Sequence, residues 1–328
     1  MMADINIVNV LSVLGVVLAI PHIHRILDFF WFYFLRPSSV NRYLHGNGRA
    51  PYAIVTGATA GIGKATAAEL LARGFNVVLH GRNEAKMQKV VEELRACTKG
   101  QADGTARDIR YFIADAAAEG GHDWAKLVEP FRDLHVTVVV HNVGGSDVTP
   151  PRIDERTEEH ILSAVHLNAL FSLFLTRALL PQLRRAARSG PVQVLFLGSM
   201  AADVAPPRLP IYAASKAFLE TLARGLDNDE LFFDAPTGVR FMYLAMHGVR
   251  SDSHDALIPP SWKAPTSARF ACALVESVGC GRRRVAPYVG HAVQGWLTQS
   301  LQAFGHKVVD SRSARIAQLV MARAGKGR

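Results

Sequence analysis

Cysteine is scarce in this chain. Of 328 residues only Cys97, Cys272 and Cys280 are cysteines, and none stands in a CxxC pair or at a Cys/His ligand spacing. So sparse and odd a set excludes a disulfide framework and a structural zinc site, and no metal is expected. It fits a reducing compartment. There is no internal repeat and no low-complexity stretch. There is also no long basic run interleaved with aromatics. The 37 Lys and Arg against 28 Asp and Glu give +9, but the densest cluster is only "GRRR" at 281–284, with a scatter over 312–328. That distribution excludes nucleic acid as partner. It suits an anionic ligand, a phosphate-rich cofactor or an anionic membrane face. Charge as a whole is modest and nearly half the residues are apolar, enough for a substantial core in one large or two ordinary domains.

Charge is missing altogether from "INIVNVLSVLGVVLAI" at 5–20. A bilayer span takes about 20 apolar residues, and counting on to Ile23 brings the segment near the lower limit. The aromatic block "FFWFYFL" at 29–35 then reads as an interfacial belt. "MMAD" lacks the basic start of a cleavable signal. A buried core helix or an interfacial, re-entrant anchor are the rival readings. Arg25, Arg36, Arg42 and Arg49 follow the segment and none precedes it, so residues 1–50 are expected to be a membrane anchor and linker that leave the main domain in the cytosol.

"YAIVTGATAGIGKATAAELLARGFNVVLHGRN" at 52–83 holds a buried-strand run, a loop punctuated by Gly57, Gly61 and Gly63, an alanine-rich helix over 64–73 and a second strand. Glycines at such a turn let the backbone approach a pyrophosphate, and the helix start offers free N–H groups. The spacing is G-x-x-x-G-x-G, with Ile62 between the last two glycines. The order strand, glycine loop, helix, strand points to dinucleotide binding. An acid ending the second strand would hold the ribose of NAD; residues 80–83 are His80, Gly81, Arg82 and Asn83 instead. Lys64 and Arg82 are placed to hold a 2′-phosphate, which favours NADP+/NADPH. Two solvated bases near a helix start, with Glu84 close by, are the alternative.

Strand-like runs recur at 109–115, 136–142, 192–199 and 239–245, with helical patterns over 158–180 and 212–226 between them. Repeated βα units predict an α/β fold, a Rossmann-type doubly wound parallel sheet behind the N-terminal anchor helix. Within the last of those helices Tyr212 and Lys216 stand four residues apart and so share a face. Alone, that pair is no more than many helices carry.

With "TGATAGIG", "HNVGG" at 141–145, Asn168 in "HLNALFSLFLT", Ser199 in "LGSMA" and "YAASK" at 212–216, each after its proper strand or helix, the sequence resembles the short-chain dehydrogenase/reductase family over residues 51–290. The resemblance implies a catalytic set of Asn168, Ser199, Tyr212 and Lys216. Tyr212 would pass a proton to or from a carbonyl oxygen. Its ordinary pKa of about 10 would be lowered by the Lys216 ammonium and the positive nicotinamide. Ser199 would polarise the carbonyl and Asn168 would hold a water linking Lys216 to solvent. Otherwise Ser199 is a cap and Asn168 a polar residue that distorts a helix. Asn142 and Gly144 would line the cofactor, Asp115 would lie near the adenine, and Val249 and Ser251 would follow the nicotinamide loop.

Within the family, the hydrophobic N-terminus followed by "LRPSS", the "NVG" at 142–144, "YAASKAF" and the 259–297 segment resemble membrane-bound very-long-chain 3-oxoacyl-CoA reductases and 17β-hydroxysteroid dehydrogenases. The resemblance implies NADPH-dependent reduction of a 3-oxoacyl-CoA at the endoplasmic reticulum membrane. A steroid or other hydrophobic ketone is the alternative substrate, and a non-catalytic NADP-binding membrane subunit the alternative role. Such proteins often form homodimers through the helices carrying Asn168 and Tyr212. Two departures stand out. His141 replaces an asparagine, and Met246 and His247 replace the Pro-Gly pair whose backbone clamps the nicotinamide. His247 is expected to be a solvated loop residue rather than a substrate contact. The 288–304 helix, with Val289, Val293, Trp296, Leu297, Leu301 and Phe304 on one face, is expected to pack on the core and to open a C-terminal extension over 291–328. The basic end of that extension would lie near lipid headgroups.

Overall fold

The computed structural model describes residues 7–98, 106–119, 121–145, 151–250 and 261–325. The chain forms two compact units, residues 1–38 and 39–328. The first is helix α1 (Ile7–Phe30), which contains Pro21 and continues through a widened turn at Trp31–Leu35. The aromatic block is carried on the last turns of the same helix. Residues 11–35 have a mean hydropathy of 1.6, and Leu11, Val13, Val16, Leu18 and Ile20 are all exposed. A 24-residue helix is about 36 Å long. It is long and apolar enough to cross a membrane.

The second unit is built on seven parallel strands: β1 (Pro51–Val55), β2 (Asn76–Gly81), β3 (Ile109–Ile113), β4 (His135–His141), β5 (Val192–Leu197), β6 (Val239–Leu244) and β7 (Arg284–Val285). Their order is β3-β2-β1-β4-β5-β6-β7. The helices are α2 (Gly61–Ala72), α3 (Glu84–Thr98), α4 (Trp124–Val128), α5 (Glu158–Val165), α6 (Phe171–Ala187), α7 (Ala201–Val204), α8 (Pro210–Asn228), α9 (Ser267–Glu276), α10 (Val289–Gln302) and α11 (His306–Gly325). β2, β4 and β5 are buried at every residue, including their polar Asn76, His80, His135, Thr137, His141 and Gln193, which is why they show no apolar–polar alternation. On one face Leu175, Leu179 and Leu183 of α6 and Leu219 and Ala223 of α8 pack over Ile54, Val139, Val194 and Phe241. The alternate strand residues are buried on the other face, where α2 and α9 pack together. The strand order reverses between β1 and β4, and a parallel sheet binds its ligand at the carboxyl ends of the strands around such a point.

Residues 39–50, expected to be linker, contribute to this unit. Val40 and Tyr43 are buried, the Tyr43 hydroxyl donates to Gln193 Oε1 at 3.1 Å, and its carbonyl accepts from Thr137 Oγ1 at 2.7 Å. β7 was hidden in the sequence because it is two residues long and begins with an arginine. The surrounding "GRRR" is not a free basic patch. Arg283 pairs with the fully buried Asp227, and Arg284 with Asp203 and Glu220. The 288–304 helix also departs from expectation. Its packed face is Gly290 and His291, while Trp296, Leu297 and Phe304 stay exposed.

Candidate active site

The glycine loop leaves β1 and enters α2. Thr56, whose part the sequence does not announce, closes it: its hydroxyl oxygen accepts the backbone N–H of Asn142 at 2.9 Å and of Val143 at 3.0 Å. In return the Asn142 amide donates to the Thr56 and Gly57 carbonyls at 3.0 and 3.1 Å. This clasp joins the carboxyl ends of β1 and β4. Gly63 lies so close beneath it that a Cβ there would be 2.2 Å from the Gly57 carbonyl and 2.6 Å from Asn142 Nδ2. Ala60, the residue before α2, has no side chain to cap the helix, so the first N–H groups of Gly61, Ile62 and Gly63 are available to a phosphate. His80, where an acid would sit in an NAD site, is buried. Its Nε2 donates to the Ala114 carbonyl at 3.1 Å and its Nδ1 accepts the Gly57 N–H at 3.3 Å, while its ring stacks on Phe171. Burial lowers its pKa to about 4. It is a neutral strut of the loop.

The residues expected to form the catalytic set come from three elements. Pro210 opens α8, a position that suits its fixed φ and missing N–H, and one turn apart on that helix stand Tyr212 and Lys216. Lys216 is buried, donates to the Leu197 carbonyl at the end of β5 at 3.0 Å, and lies 5.7 Å from the Tyr212 ring centre. Ser199 follows the same strand. Its Oγ accepts the Ala201 N–H at 3.1 Å in the turn before α7, whose cap residue is Met200, and its hydroxyl acts on the Tyr212 phenol as a pKa-lowering hydrogen-bond partner. Tyr243 of β6 fixes the Ser199 backbone, its hydroxyl accepting the Ser199 N–H and donating to the Ser199 carbonyl, both at 2.9 Å. Gly198 has no side chain because that ring occupies the space: a Cβ there would be 1.9 Å from it.

Asn168 sits in a widened turn, His166–Leu170, between α5 and α6, where the Phe171 N–H bonds the His166 carbonyl five residues back. Such turns recur at functional sites. Buried, its Nδ2 donates to the Ala164 and Gly145 carbonyls, each at 3.0 Å, and its Oδ1 accepts the Gly145 N–H at 2.9 Å. One lone pair of Oδ1 is left for the water that the resemblance implies. Gly144 completes the ring: a Cβ on it would be 2.9 Å from Asn168 Oδ1 and 3.0 Å from Lys216 Nζ. An ammonium has three donors and Leu197 takes one, so the glycine keeps open the space in which a ribose would meet Lys216. These features fit a nicotinamide dinucleotide.

Burial governs the titrations. The Lys216 ammonium is brought down to about 8 by desolvation. The Tyr212 phenol is raised by desolvation, against a lowering hydrogen bond from Ser199. In the chain alone burial sets the direction and Lys216 has no part in the shift; the lowering expected of Lys216 together with a positive nicotinamide concerns the oxidised complex. Tyr212, Asn168 and Gly145 line a cavity of about 290 Å³ whose other walls include Leu167, Leu209 and Ile211 together with Arg156, His160 and Arg208.

The remaining expected residues lie further out. Lys64 is paired with Glu93 of α3, and Arg82 is exposed; the structure shows no contact between the two bases. Asp115 turns its carboxylate to the Ala117 N–H at 3.1 Å just after β3. Val249 is buried beyond β6, and Ser251 lies outside the described residues. His247 keeps exposed surface, but desolvation lowers its pKa and its ring lies 6.2 Å from that of His291, so it is not the freely solvated residue expected; His141 is buried, its Nε2 bonded to Thr176 Oγ1 at 2.8 Å.

The short chain dehydrogenase family model matches residues 51–259, well over half of the chain. The chain belongs to the short-chain dehydrogenase family. As a member it is an oxidoreductase that uses a nicotinamide cofactor. Among its relatives, the very-long-chain 3-oxoacyl-CoA reductase of Schizosaccharomyces pombe is 29% identical over 330 residues, covering 97% of this chain and 92% of the relative. The protein of the same name from Mycosarcoma maydis is 30% identical, covering 81% and 75%. A solved short chain dehydrogenase from Escherichia coli, complexed with NADPH, superposes with a TM-score of 0.58 at 26% identity, covering 71% of this chain and 91% of the other.

Proposed function

We propose that this short-chain dehydrogenase is an NADPH-dependent reductase of long-chain 3-oxoacyl-CoA, anchored by α1 in the endoplasmic reticulum membrane with residues 51–290 catalytic and cytosolic. The observation that carries the reading is the cavity: Tyr212 and Asn168 on its wall, apolar side chains beside them, and Arg156 and Arg208 among its lining. An apolar chain and a phosphorylated carrier are the two parts of an acyl-CoA. The names of the relatives support the same substrate, and the NADPH in the Escherichia coli structure supports the cofactor.

When bound, the reduced nicotinamide supplies the hydride that reaches the carbonyl carbon. Everything else falls to the chain. Ser199 donates a hydrogen bond to the carbonyl oxygen and stabilises the charge developing there. Tyr212, kept protonated by burial, gives that oxygen its proton. Lys216 orients the ribose and stabilises the phenolate left behind, and Asn168 holds the Gly144–Gly145 turn against both. At the adenine end Lys64 and Arg82 would take the 2′-phosphate. The Lys64–Glu93 pair is half-exposed and therefore weak, so Lys64 exchanges easily to a phosphate. A homodimer through α6 and α8, where Phe218 is exposed, belongs to the same reading.

The test is NADPH oxidation by the full-length chain in detergent micelles with a long-chain 3-oxoacyl-CoA, beside Tyr212→Phe, NADH, and the same acyl group on N-acetylcysteamine, which has no phosphates. The reading requires turnover that prefers NADPH and is lost in Tyr212→Phe. Arg156→Ala/Arg208→Ala should raise the KM of the CoA ester about tenfold or more and leave the neutral thioester unchanged. An uncharged steroid ketone as the preferred substrate, with both arginines dispensable, would refute it.

A further inference from the structure

Losing the Pro-Gly pair after β6 should leave the turn at 246–248 loosely defined, because neither a fixed φ nor an easy positive φ remains. In the structure this turn is instead pinned from outside. His291, one helical turn into α10 and wholly buried, accepts the His247 N–H on Nδ1 at 3.3 Å. Its Nε2 bonds the Gly248 carbonyl at 3.2 Å. A carbonyl only accepts and a backbone N–H only donates, so the ring is the neutral Nε2–H tautomer. Burial keeps it neutral, lowering its pKa to about 4. The Phe270 and Tyr288 rings enclose it, with ring centres at 5.6 and 5.4 Å. Next to it, Gly290 allows α10 to dock closely, since a Cβ there would be 2.5 Å from the Trp262 carbonyl.

The other side of the turn is tied to the catalytic strand. The Met246 carbonyl accepts the N–H of Met200, the residue after Ser199, at 2.9 Å. A continuous path of backbone hydrogen bonds therefore runs from the Ser199 segment through residues 246–248 to the His291 ring. It lies at the carboxyl end of the sheet, where a parallel α/β fold receives its ligand.

We propose that His291 is a positioning residue, whose imidazole braces the 246–248 turn at the nicotinamide end of the cofactor site and does so in place of the missing Pro-Gly pair. This rests on the oxidoreductase reading above. It also makes the start of the C-terminal extension a working part of the cofactor site rather than an appendage.

The test uses the full-length chain in detergent micelles with two variants. His291→Phe fills the ring's volume and removes both hydrogen bonds; His291→Gln keeps one acceptor and one donor. NADPH binding is read from nicotinamide fluorescence, and 2′,5′-ADP, which carries only the adenine half, is titrated in parallel. Expected for His291→Phe is NADPH binding weakened by about tenfold or more, with 2′,5′-ADP held within about twofold. His291→Gln should recover most of the NADPH affinity. The inference is overturned if His291→Phe binds NADPH as well as the wild type, if it loses 2′,5′-ADP equally, or if His291→Gln behaves like His291→Phe. A wild-type chain that binds neither NADPH nor NADH overturns the cofactor reading and this inference with it.

Discussion

Replacing Lys216 with methionine should make the fold more stable at neutral pH while destroying its chemistry. The ammonium is 3% exposed and its pKa stands at about 8 rather than 10.5. That difference amounts to about 3 kcal/mol held against folding while the amine is charged. Methionine has nearly the same length and removes this penalty. Against it stand the Leu197 carbonyl, left without its donor at about 1–3 kcal/mol, and the lost cation beside the Tyr212 ring. Near pH 7 the variant should therefore be about 1 kcal/mol more stable than the wild type. The pH dependence is the sharper signature. Between the folded and unfolded pKa values the unfolded chain binds the proton and the folded chain does not, so wild-type stability rises with pH across that window. The variant lacks this gain. The difference between the two should shift by about 3 kcal/mol in favour of the wild type from pH 7 to about 10.5. Urea unfolding of both proteins in the same micelles, at pH 7 and near pH 10, reads it directly. A difference that stays constant would mean an amine with an ordinary pKa, and the argument from burial would fail. Reductase turnover should drop by about a hundredfold or more in the variant.

Three further outcomes follow from the geometry. Gly63→Ala drives a Cβ into the Gly57 carbonyl and the Asn142 amide; it should cost about 2 kcal/mol or more and abolish NADPH binding, measured by thermal unfolding and fluorescence titration. Asn168→Ala strands the Gly145 and Ala164 groups that it satisfies; about 3 kcal/mol of stability should go, and kcat should fall more than the KM for NADPH rises. Glu93→Gln releases Lys64 and should tighten NADPH about two- to fivefold without changing NADH, whereas Lys64→Met should weaken NADPH alone.

What was legible in the sequence was local. The strands of 52–55, 109–113 and 192–197 are short, mostly apolar runs of aliphatic and aromatic residues, and the glycine spacing at 57–63 is a backbone requirement written within seven residues. The pairing of Tyr212 with Lys216 needs only helical geometry. What escaped depends on partners distant in sequence. Thr56 is an ordinary residue until Asn142 is beside it. His80 reads as a missing acid until its ring is found holding the Gly57 N–H. "GRRR" is in the sequence only the densest basic cluster, and nothing local tells that Asp227, Asp203 and Glu220 take up two of its arginines. The face of α10 was misjudged because Trp296 and Leu297 carry the hydrophobicity while the contact is made by a glycine and a histidine.

The widened turn at His166–Leu170 has a consequence for how this segment tolerates change. An α-helix advances about 100° per residue, so one extra residue in a turn leaves α5 and α6 out of phase by that angle. α6 buries Leu175, Leu179 and Leu183 against the sheet, while α5 contributes Ala164 to the cavity beside Tyr212. A single-residue deletion between 166 and 170 would restore a regular helix and improve its backbone bonding. It would also turn the wall of the cavity away by nearly a third of a revolution and remove the need for Asn168 to catch the Ala164 carbonyl. The segment is thus one deletion away from a better helix and a lost enzyme, whereas conservative substitutions along it leave that phase untouched.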